Sequence, residues 1–417
     1  MTPVVIGAAY GDEGKGATVN TLASLDSIIV RFNGGAQAGH TVIHDGHRRV
    51  FSHFGSGTLK GASTHLSRFF VCHPIAFLAE WYDMARHGIT PRVTVSPDCP
   101  VTTIFDVLLN RTIENQRGAN RHGSVGIGFG ETLERMQRFP TTVSDLNNGN
   151  MANWLETIRD QWVPQRCKQL GTELDRLPTW FNDPATIRRQ ELDFAAFLSH
   201  IQIRNDEDAV KNLDCAIFEG AQGLLLDQDY GKYPYVTRSN TGLRNVRQLV
   251  GNAPLGVRYV TRAYTTRHGA GPLPFELPHQ PYPGIRDDTN TTGEFQGSLR
   301  FSYLNLDDIG QAVRTDCSRY LGSQSRVRTI VTCLDQLGDT CYVIRNGTTA
   351  PCMTRDLSQV VSEVLISANQ PPFYARKSYE SDRLNHQMQA WSDDEPSSRV
   401  GPGRDQWAQG PLLPAHQ

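Results

Sequence analysis

The chain has no apolar run of the roughly eighteen residues that a membrane-spanning helix needs. Its formal net charge of −2 gives no sign of a nucleic-acid or membrane partner, so any basic site must be local. Cysteine is sparse and scattered, eight residues in 417 with no C-x-x-C pair. That spacing argues against a zinc site or a disulfide framework and suits reduced core thiols. Internal repeats and low-complexity linkers are also missing. The sequence enters a strand-like run directly, without a signal-peptide pattern, so a cytoplasmic location is expected. At 38% hydrophobic and 20% charged residues, the composition is that of a globular chain able to bury a large core.

Glycine, by contrast, is plentiful, with 37 residues, and several gather just after apolar runs. The first case is Val4-Val5-Ile6-Gly7-Ala8-Ala9-Tyr10-Gly11-Asp12-Glu13-Gly14-Lys15-Gly16-Ala17, followed by helical sequence over residues 18–24. This reads as a strand, a tight turn and a helix start. Such a turn aims backbone N–H groups and the positive helix end at one point, and Lys15 adds a full charge there. A P-loop would need Gly at position 9 and a hydroxyl at position 16, where the chain has Ala9 and Gly16. Asp12 inside an anion-binding turn would be repelled by phosphate unless it holds a metal ion or takes a proton from a substrate.

The same arrangement recurs along the chain. Residues 27–32 read as a second buried strand ending in Asn33-Gly34-Gly35-Ala36-Gln37-Ala38-Gly39-His40-Thr41. Loops at the carboxyl ends of parallel strands face one crevice, so His40 is expected to meet Asp12. Residues 69–72 look β-like and residues 75–87 helical, and Gly123-Ser124-Val125-Gly126-Ile127-Gly128 leads into a helix over 131–138. There the Ser124 hydroxyl is a natural phosphate contact. Helical spacing dominates residues 151–212. A strand over 215–218 ends in Glu219-Gly220-Ala221-Gln222-Gly223, where the Gln222 amide suits a purine edge. Further strands are expected at 255–260, 329–335 and 341–344. The first leads into Arg262-Ala263-Tyr264-Thr265-Thr266-Arg267-His268-Gly269-Ala270-Gly271-Pro272, which suggests another anion-binding turn. Alternating strands and helices argue for an α/β fold, a mainly parallel central sheet with helices on both faces.

In their order, these loops and Tyr233-Pro234-Tyr235-Val236-Thr237 resemble the adenylosuccinate synthetase family over roughly residues 3–406. The resemblance implies one large P-loop-related α/β domain over 1–417. It would carry a helical elaboration at about 140–212 and a loop-rich segment from about 378, and the chain would form a homodimer. It also implies a ligase that joins L-aspartate to C6 of a purine nucleoside monophosphate at the expense of a nucleoside triphosphate. Asp12 would remove the N1 proton so that O6 attacks the γ-phosphate, and His40 would stabilise the charge on the transferred group. Lys15 and Gln222 would complete the catalytic set, and Mg²⁺ would sit on Asp12 and the Gly39 carbonyl. The monophosphate would lie among Asp12, Glu13, Gln37, Ala38, Gly39, His40, Ser124, Gln222 and Thr237. Arg135 or Arg138 would reach it across a dimer interface. Gly11, Glu13, Gly14, Lys15, Gly16, Asp335, Gly401 and Pro402 would take the triphosphate, and Thr291, Thr292, Gly293 and Arg300 the aspartate.

Departures from the family pattern bear on specificity. The run of arginines expected after Thr-Thr-Gly is replaced by Glu294-Phe295-Gln296-Gly297-Ser298-Leu299-Arg300. The guanine-reading Thr-Lys-x-Asp is Thr332-Cys333-Leu334-Asp335, and Arg399 stands where a serine is usual before Gly401-Pro402. Gln37 replaces an asparagine, and His268 fills a ribose-side position that is usually small. These changes resemble the family's viral branch, which couples aspartate to dGMP with ATP and would act in a host cytoplasm. That branch often lacks the first-loop aspartate, which this chain keeps. Because donor and aspartate loops changed together, the expectation leans to dGMP with ATP or dATP, against IMP with GTP. A nucleotide-binding regulator without turnover is the remaining alternative.

Overall fold

In the computed structural model, which describes residues 1–174, 177–287 and 293–366, the opening apolar run forms β1 (Thr2–Gly7). The turn after it feeds helix α1 (Lys15–Leu22), which starts at Lys15 rather than near residue 18. β2 (Ile28–Arg31), the hairpin β3 (His40–His44) and β4 (His47–Phe51), and β5 (Ser63–Leu66) follow. Helix α2 (Pro74–Arg86), β6 (Val93–Val95), and helices α3 (Ile104–Arg117) and α4 (Phe129–Met136) come next. After a helical stretch the chain forms β7 (Gln202–Ile203), β8 (Ala216–Gly223), β9 (Leu255–Arg262) and β10 (Tyr264–Arg267). The last strands are β11 (Glu276–Leu277), β12 (Arg300–Asn305), β13 (Arg326–Thr332), β14 (Thr340–Arg345) and β15 (Thr348–Met353).

The main sheet has the order β13-β9-β1-β8-β2-β5-β6-β7, and its neighbours run parallel. Its central strands are buried on both faces, which is why they read as continuous apolar runs rather than alternating ones. Val4 and Ile6 of β1 join one core cluster and Val5 the other. In β8, Phe218 and Ile217 divide in the same way. Helices Met151–Thr157, Val163–Leu170 and Pro184–Ser199 pack with α2 and α3 in a third cluster that includes Phe77, Phe105, Trp162, Phe194 and Phe197.

Three expectations are corrected. Residues 69–72 form no strand, only the single bridges Gly35–Val71 and Cys72–Val101. The strand expected over 329–335 stops at Thr332. Cys333 turns into the left-handed region with φ 62° and a 3-10 turn, Leu334–Gln336, follows. The third concerns a second, mostly antiparallel sheet, β10-β12-β14-β15 with β11 on β12, which stands beside the parallel one. β14 covers the strand expected over 341–344, but other strands of this sheet, such as Tyr264–Arg267, lie within sequence that reads as loop. Among the described residues no helix is long and apolar enough to cross a membrane. The segment from about 378 lies outside the described residues, as do Thr291, Thr292, Gly401 and Pro402.

Candidate active site

Parallel strands deliver their C-terminal loops to one edge of the sheet. Here the loops after β1 and β2 interlock with the last residues of β8 at that edge. Asn33 donates to the Ala221 carbonyl at 3.0 Å and accepts from the Ala221 N–H at 2.8 Å. A Cβ on Gly16 would lie 2.9 Å from the Thr41 carbonyl and 3.1 Å from the His40 Cβ, so α1 begins directly against the His40 loop. Gly7 is held to glycine by the same crowding, since a Cβ there would meet Glu13 Oε2 at 2.4 Å.

The first loop is shaped from within by Glu13. Its Oε1 accepts from the N–H groups of Ala9 and Gly11 at 3.1 and 2.8 Å, and its Oε2 takes the Lys15 ammonium at 2.5 Å. Both side chains are buried. Glu13 therefore braces the turn and aims Lys15. Its side-chain oxygens are occupied by the chain itself, so any nucleotide contact of Glu13 falls to its backbone. Asp12 sits at the turn's apex with φ 62°. Arg262 fixes its carbonyl through Nε at 2.5 Å and pairs with Asp287 at 2.9 Å.

His40 donates from Nδ1 to Glu219 Oε1 at 2.5 Å, and both groups are buried. The Ser56 N–H donates to Glu219 Oε2 at 2.9 Å, and the Ser56 hydroxyl donates to Oε1. Burial, reinforced by the Arg31 guanidinium, lowers the His40 pKa. Burial works in the opposite direction on Glu219, but His40, Arg31 and Ser56 outweigh it and hold the carboxyl below its usual range. Glu219 is thus the ionised partner, which assigns the Nδ1 proton to His40 and leaves its Nε2 bare. Glu219, Ser56 and Arg31 were not singled out in the sequence. Glu219 stands inside a quoted motif, and only the fold brings it against His40.

His40 Nε2, both amide atoms of Gln37, Gln222 Oε1, Thr237 Oγ1 and both ring nitrogens of His268 are buried without a hydrogen-bond partner among the described residues. Buried polar atoms are nearly always bonded, so these unpartnered ones on the candidate loops are available to a polar ligand. Gln222, like Asp12, has a positive φ, 60°. The Gly123 loop joins this group through the loop after β10, since a Cβ on Gly123 would lie 2.6 Å from the Gly269 Cα. The Ser124 hydroxyl in that loop accepts from Asn110 at 3.0 Å. Across the site, Thr332 donates to the Glu13 carbonyl at 2.9 Å, so the turn carrying Asp335 abuts the first loop.

Two expected arginines are engaged elsewhere. Arg135 is fully buried, and its donors meet Asp106, Phe139, Thr141 and Val101 inside the chain. It cannot reach a partner subunit, whereas Arg138 is exposed. Arg300 forks onto Glu276, with Nε at 2.7 Å, and donates to the Gly269 and Gly271 carbonyls at 3.1 and 2.8 Å. Aspartate would have to compete with Glu276 for it. Arg300 lines an open cavity of about 480 Å³ together with Arg121, the loop 269–271 and the turn after Gly293. Arg121, not noticed in the sequence, stacks on Phe295 and donates to the Glu294 carbonyl at 2.9 Å.

Among the described residues no group of three or more His, Cys, Asp or Glu side chains could hold a metal ion. One carboxylate, Asp12, and one carbonyl, Gly39, nevertheless make a donor set whose chemistry fits Mg²⁺ arriving with phosphates, because Mg²⁺ keeps substrate oxygens and waters in its shell.

The fold and the site together define an α/β protein with anion-binding loops at the carboxyl edge of a parallel sheet. A family model for adenylosuccinate synthetase matches residues 4–322, and the chain belongs to that family. It is 34% identical over 288 residues to the adenylosuccinate synthetase of Psychrobacter cryohalolentis, covering 66% of this chain and 65% of that protein. The Pseudomonas aeruginosa PAO1 enzyme matches over the same shares at 34% identity. The chain thus matches slightly less than two thirds of these relatives' length. In fold it is similar to the fully ligated adenylosuccinate synthetase of Plasmodium falciparum, with a TM-score of 0.68 and 18% identity over 87% of this chain and 95% of that one. It is also similar to the succinoaminodeoxyadenylate synthetase of cyanophage S-2L, solved with dGMP and with dATP as an energy donor. There the TM-score is 0.55 and the identity 14%, over 88% of this chain and 89% of that one.

Proposed function

We propose that this protein is a carbon–nitrogen ligase that couples L-aspartate to C6 of a purine nucleoside 5′-monophosphate, driven by a nucleoside triphosphate. The observation that carries the reading is the meeting of the Asp12 turn, the His40–Glu219 pair and the Lys15 anion loop at one sheet edge. A 6-oxo group leaves poorly, so it must first become a phosphate ester. Asp12 takes the N1 proton, which makes O6 a nucleophile toward the γ-phosphate. Lys15 and the N–H groups of the first loop hold the phosphate chain. His40, oriented by Glu219, takes a proton at Nε2 from solvent as the triphosphate's negative charge enters the site, and donates that hydrogen to the transferred group. Asp12 and the Gly39 carbonyl would hold Mg²⁺, which would supply charge neutralisation to the phosphates. The aspartate amine then displaces phosphate at C6, its carboxylates facing Arg300 and Arg121 in the adjoining cavity. Gln37, Gln222 and Thr237 supply unpartnered atoms for the monophosphate, and Arg138 is the arginine free to reach a partner subunit in a homodimer.

For the acceptor, the joint change of the donor turn at Cys333 and the aspartate loop at Glu294 supports dGMP with ATP or dATP. IMP with GTP is the second reading, favoured by Asp12 and by the name of the 34%-identical relatives. The test is product analysis by mass spectrometry with Mg²⁺ and L-aspartate fixed, crossing IMP or dGMP with GTP, ATP or dATP. A succinylated product from dGMP with an adenine nucleotide is expected. Product from IMP with GTP alone would establish the second reading, and no product or phosphate release from any mixture would leave a nucleotide-binding regulator.

A further inference from the structure

The sheet order places the site's two histidines on opposite flanks of Asp12. His40 follows β2, beyond β8, whereas His268 follows β9 and β10 on the other side of β1. Their surroundings differ in one respect that matters. His40 is tied through Nδ1 to Glu219. The His268 side chain is only 10% exposed, and neither of its nitrogens has a hydrogen-bond partner among the described residues. The backbone holds its loop instead. The Gly269 N–H donates to the Gln296 carbonyl at 3.1 Å, and Arg300 and Arg267 clamp the Gly269, Gly271 and Pro272 carbonyls. The backbone after His268 is therefore held while the ring's polar atoms are free, an arrangement that suits a ligand better than a core.

His268 Nε2 stands 3.9 Å from Asp12 Oδ2. That is too long for a direct hydrogen bond, yet one donor with two hydrogens lying between them would satisfy both. On the proposed reading, on which this inference rests, Asp12 faces purine N1 and His40 faces O6. The position on the far side of N1 is C2. Hypoxanthine carries only hydrogen there, while guanine carries an amino group with two hydrogens. The geometry points to His268 as the residue that reads this group: a ring nitrogen accepts from the 2-amino group beside Asp12 and selects a guanine-type monophosphate over a hypoxanthine-type one. Acceptor specificity then lies in the loop after β10 rather than in the catalytic turn.

The test compares dGMP with dIMP, which differ only in the 2-amino group, at fixed Mg²⁺, L-aspartate and triphosphate in the full chain. Wild type is expected to favour dGMP in kcat/KM by roughly tenfold to a hundredfold. His268→Leu should collapse that ratio toward one, and His268→Gln, which keeps an acceptor, should restore part of it. Equal use of the two substrates by wild type, or a loss in His268→Leu that is the same for both, would overturn the assignment and leave a space-filling ring. If His268→Leu does not fold, the wild-type ratio and His268→Gln decide. Absence of aspartate-dependent phosphate release with either substrate would overturn the ligase reading instead. Calorimetric binding of dGMP against dIMP to wild type would then still show whether the 2-amino group is read.

Discussion

At the scale of single residues, the site depends on which carboxylates are left free by the chain and which are consumed by it. Asp12 is the carboxylate at the apex of the first turn, while Glu13 beside it is consumed by Lys15 and two N–H groups. Asp12→Asn keeps shape and an acceptor oxygen but removes basicity. Turnover should fall roughly a hundred- to ten-thousandfold while monophosphate binding, measured without triphosphate, persists. Near-normal turnover in that variant would end the general-base assignment. Glu219 has two duties, since it orients His40 and offsets the buried Arg31 charge. Glu219→Gln leaves Arg31 buried without that carboxylate, so urea unfolding should show a loss of about 3 kcal/mol. Where the variant remains folded, kcat should drop with little change in the monophosphate KM, because protonated His40 is needed only as the phosphoryl group transfers. A change confined to KM would place Glu219 in substrate binding instead.

Among the elements, helix α2 carries a pH dependence unrelated to catalysis. Its N-cap is His73, whose Nδ1 accepts from the Ala76 N–H at 3.3 Å. Burial, with His53 nearby, lowers the His73 pKa from 6.5 to about 3. The folded chain therefore keeps His73 neutral where the unfolded chain binds a proton, so its contribution is complete above about pH 6.5 and is lost as pH falls toward 3. At pH 5 the loss is about 2 kcal/mol. His73→Asn keeps a capping acceptor without the titration, so the difference in unfolding free energy between pH 7 and pH 5 should shrink by that amount. An unchanged pH slope in urea melts would assign the dependence to other groups. The elements also explain what the sequence could and could not convey. β1, β2, β8, β9 and β13 are legible because strands buried on both faces leave continuous apolar runs. Of the second sheet only β14 is legible, since strands as short and polar as Tyr264–Arg267 carry no periodic signal. For the same reason the loops with Asp12, His40 and Gln222 could be read from their glycines, but Glu219 against His40, or Arg135 committed to Asp106, depends on contacts between residues distant in the chain.

Across the whole molecule, the first loop is shared between two sides of the sheet. The His40 and Gln222 loops approach it from the β8 and β2 side. On the β13 side, Thr332 bonds the Glu13 carbonyl, and a Cβ on Gly14 would come within 3.0 Å of Thr332 Cγ2. The triphosphate base would be read from the turn Leu334–Gln336, where Asp335 remains although Cys333 stands in place of a lysine, while the monophosphate would lie nearer the His40 and Gln222 segments. A ligand held by both the first loop and the Asp335 turn stabilises the folded chain by its own binding free energy, about 2.7 kcal/mol at a hundredfold excess over Kd. Thermal unfolding with Mg²⁺ and each triphosphate in turn should therefore rank the donors by melting shift without requiring turnover. Asp335→Ala should reduce or reorder those shifts and leave the shift caused by the monophosphate alone intact, because the Asp335 turn is assigned to the triphosphate base and to none of the monophosphate contacts. Identical shifts in wild type and Asp335→Ala for every donor would mean that the donor base is read outside this turn. Loss of the monophosphate shift as well would mean that the flanks are coupled through the first loop, and the assignment of separate duties to β13 and β8 would fail.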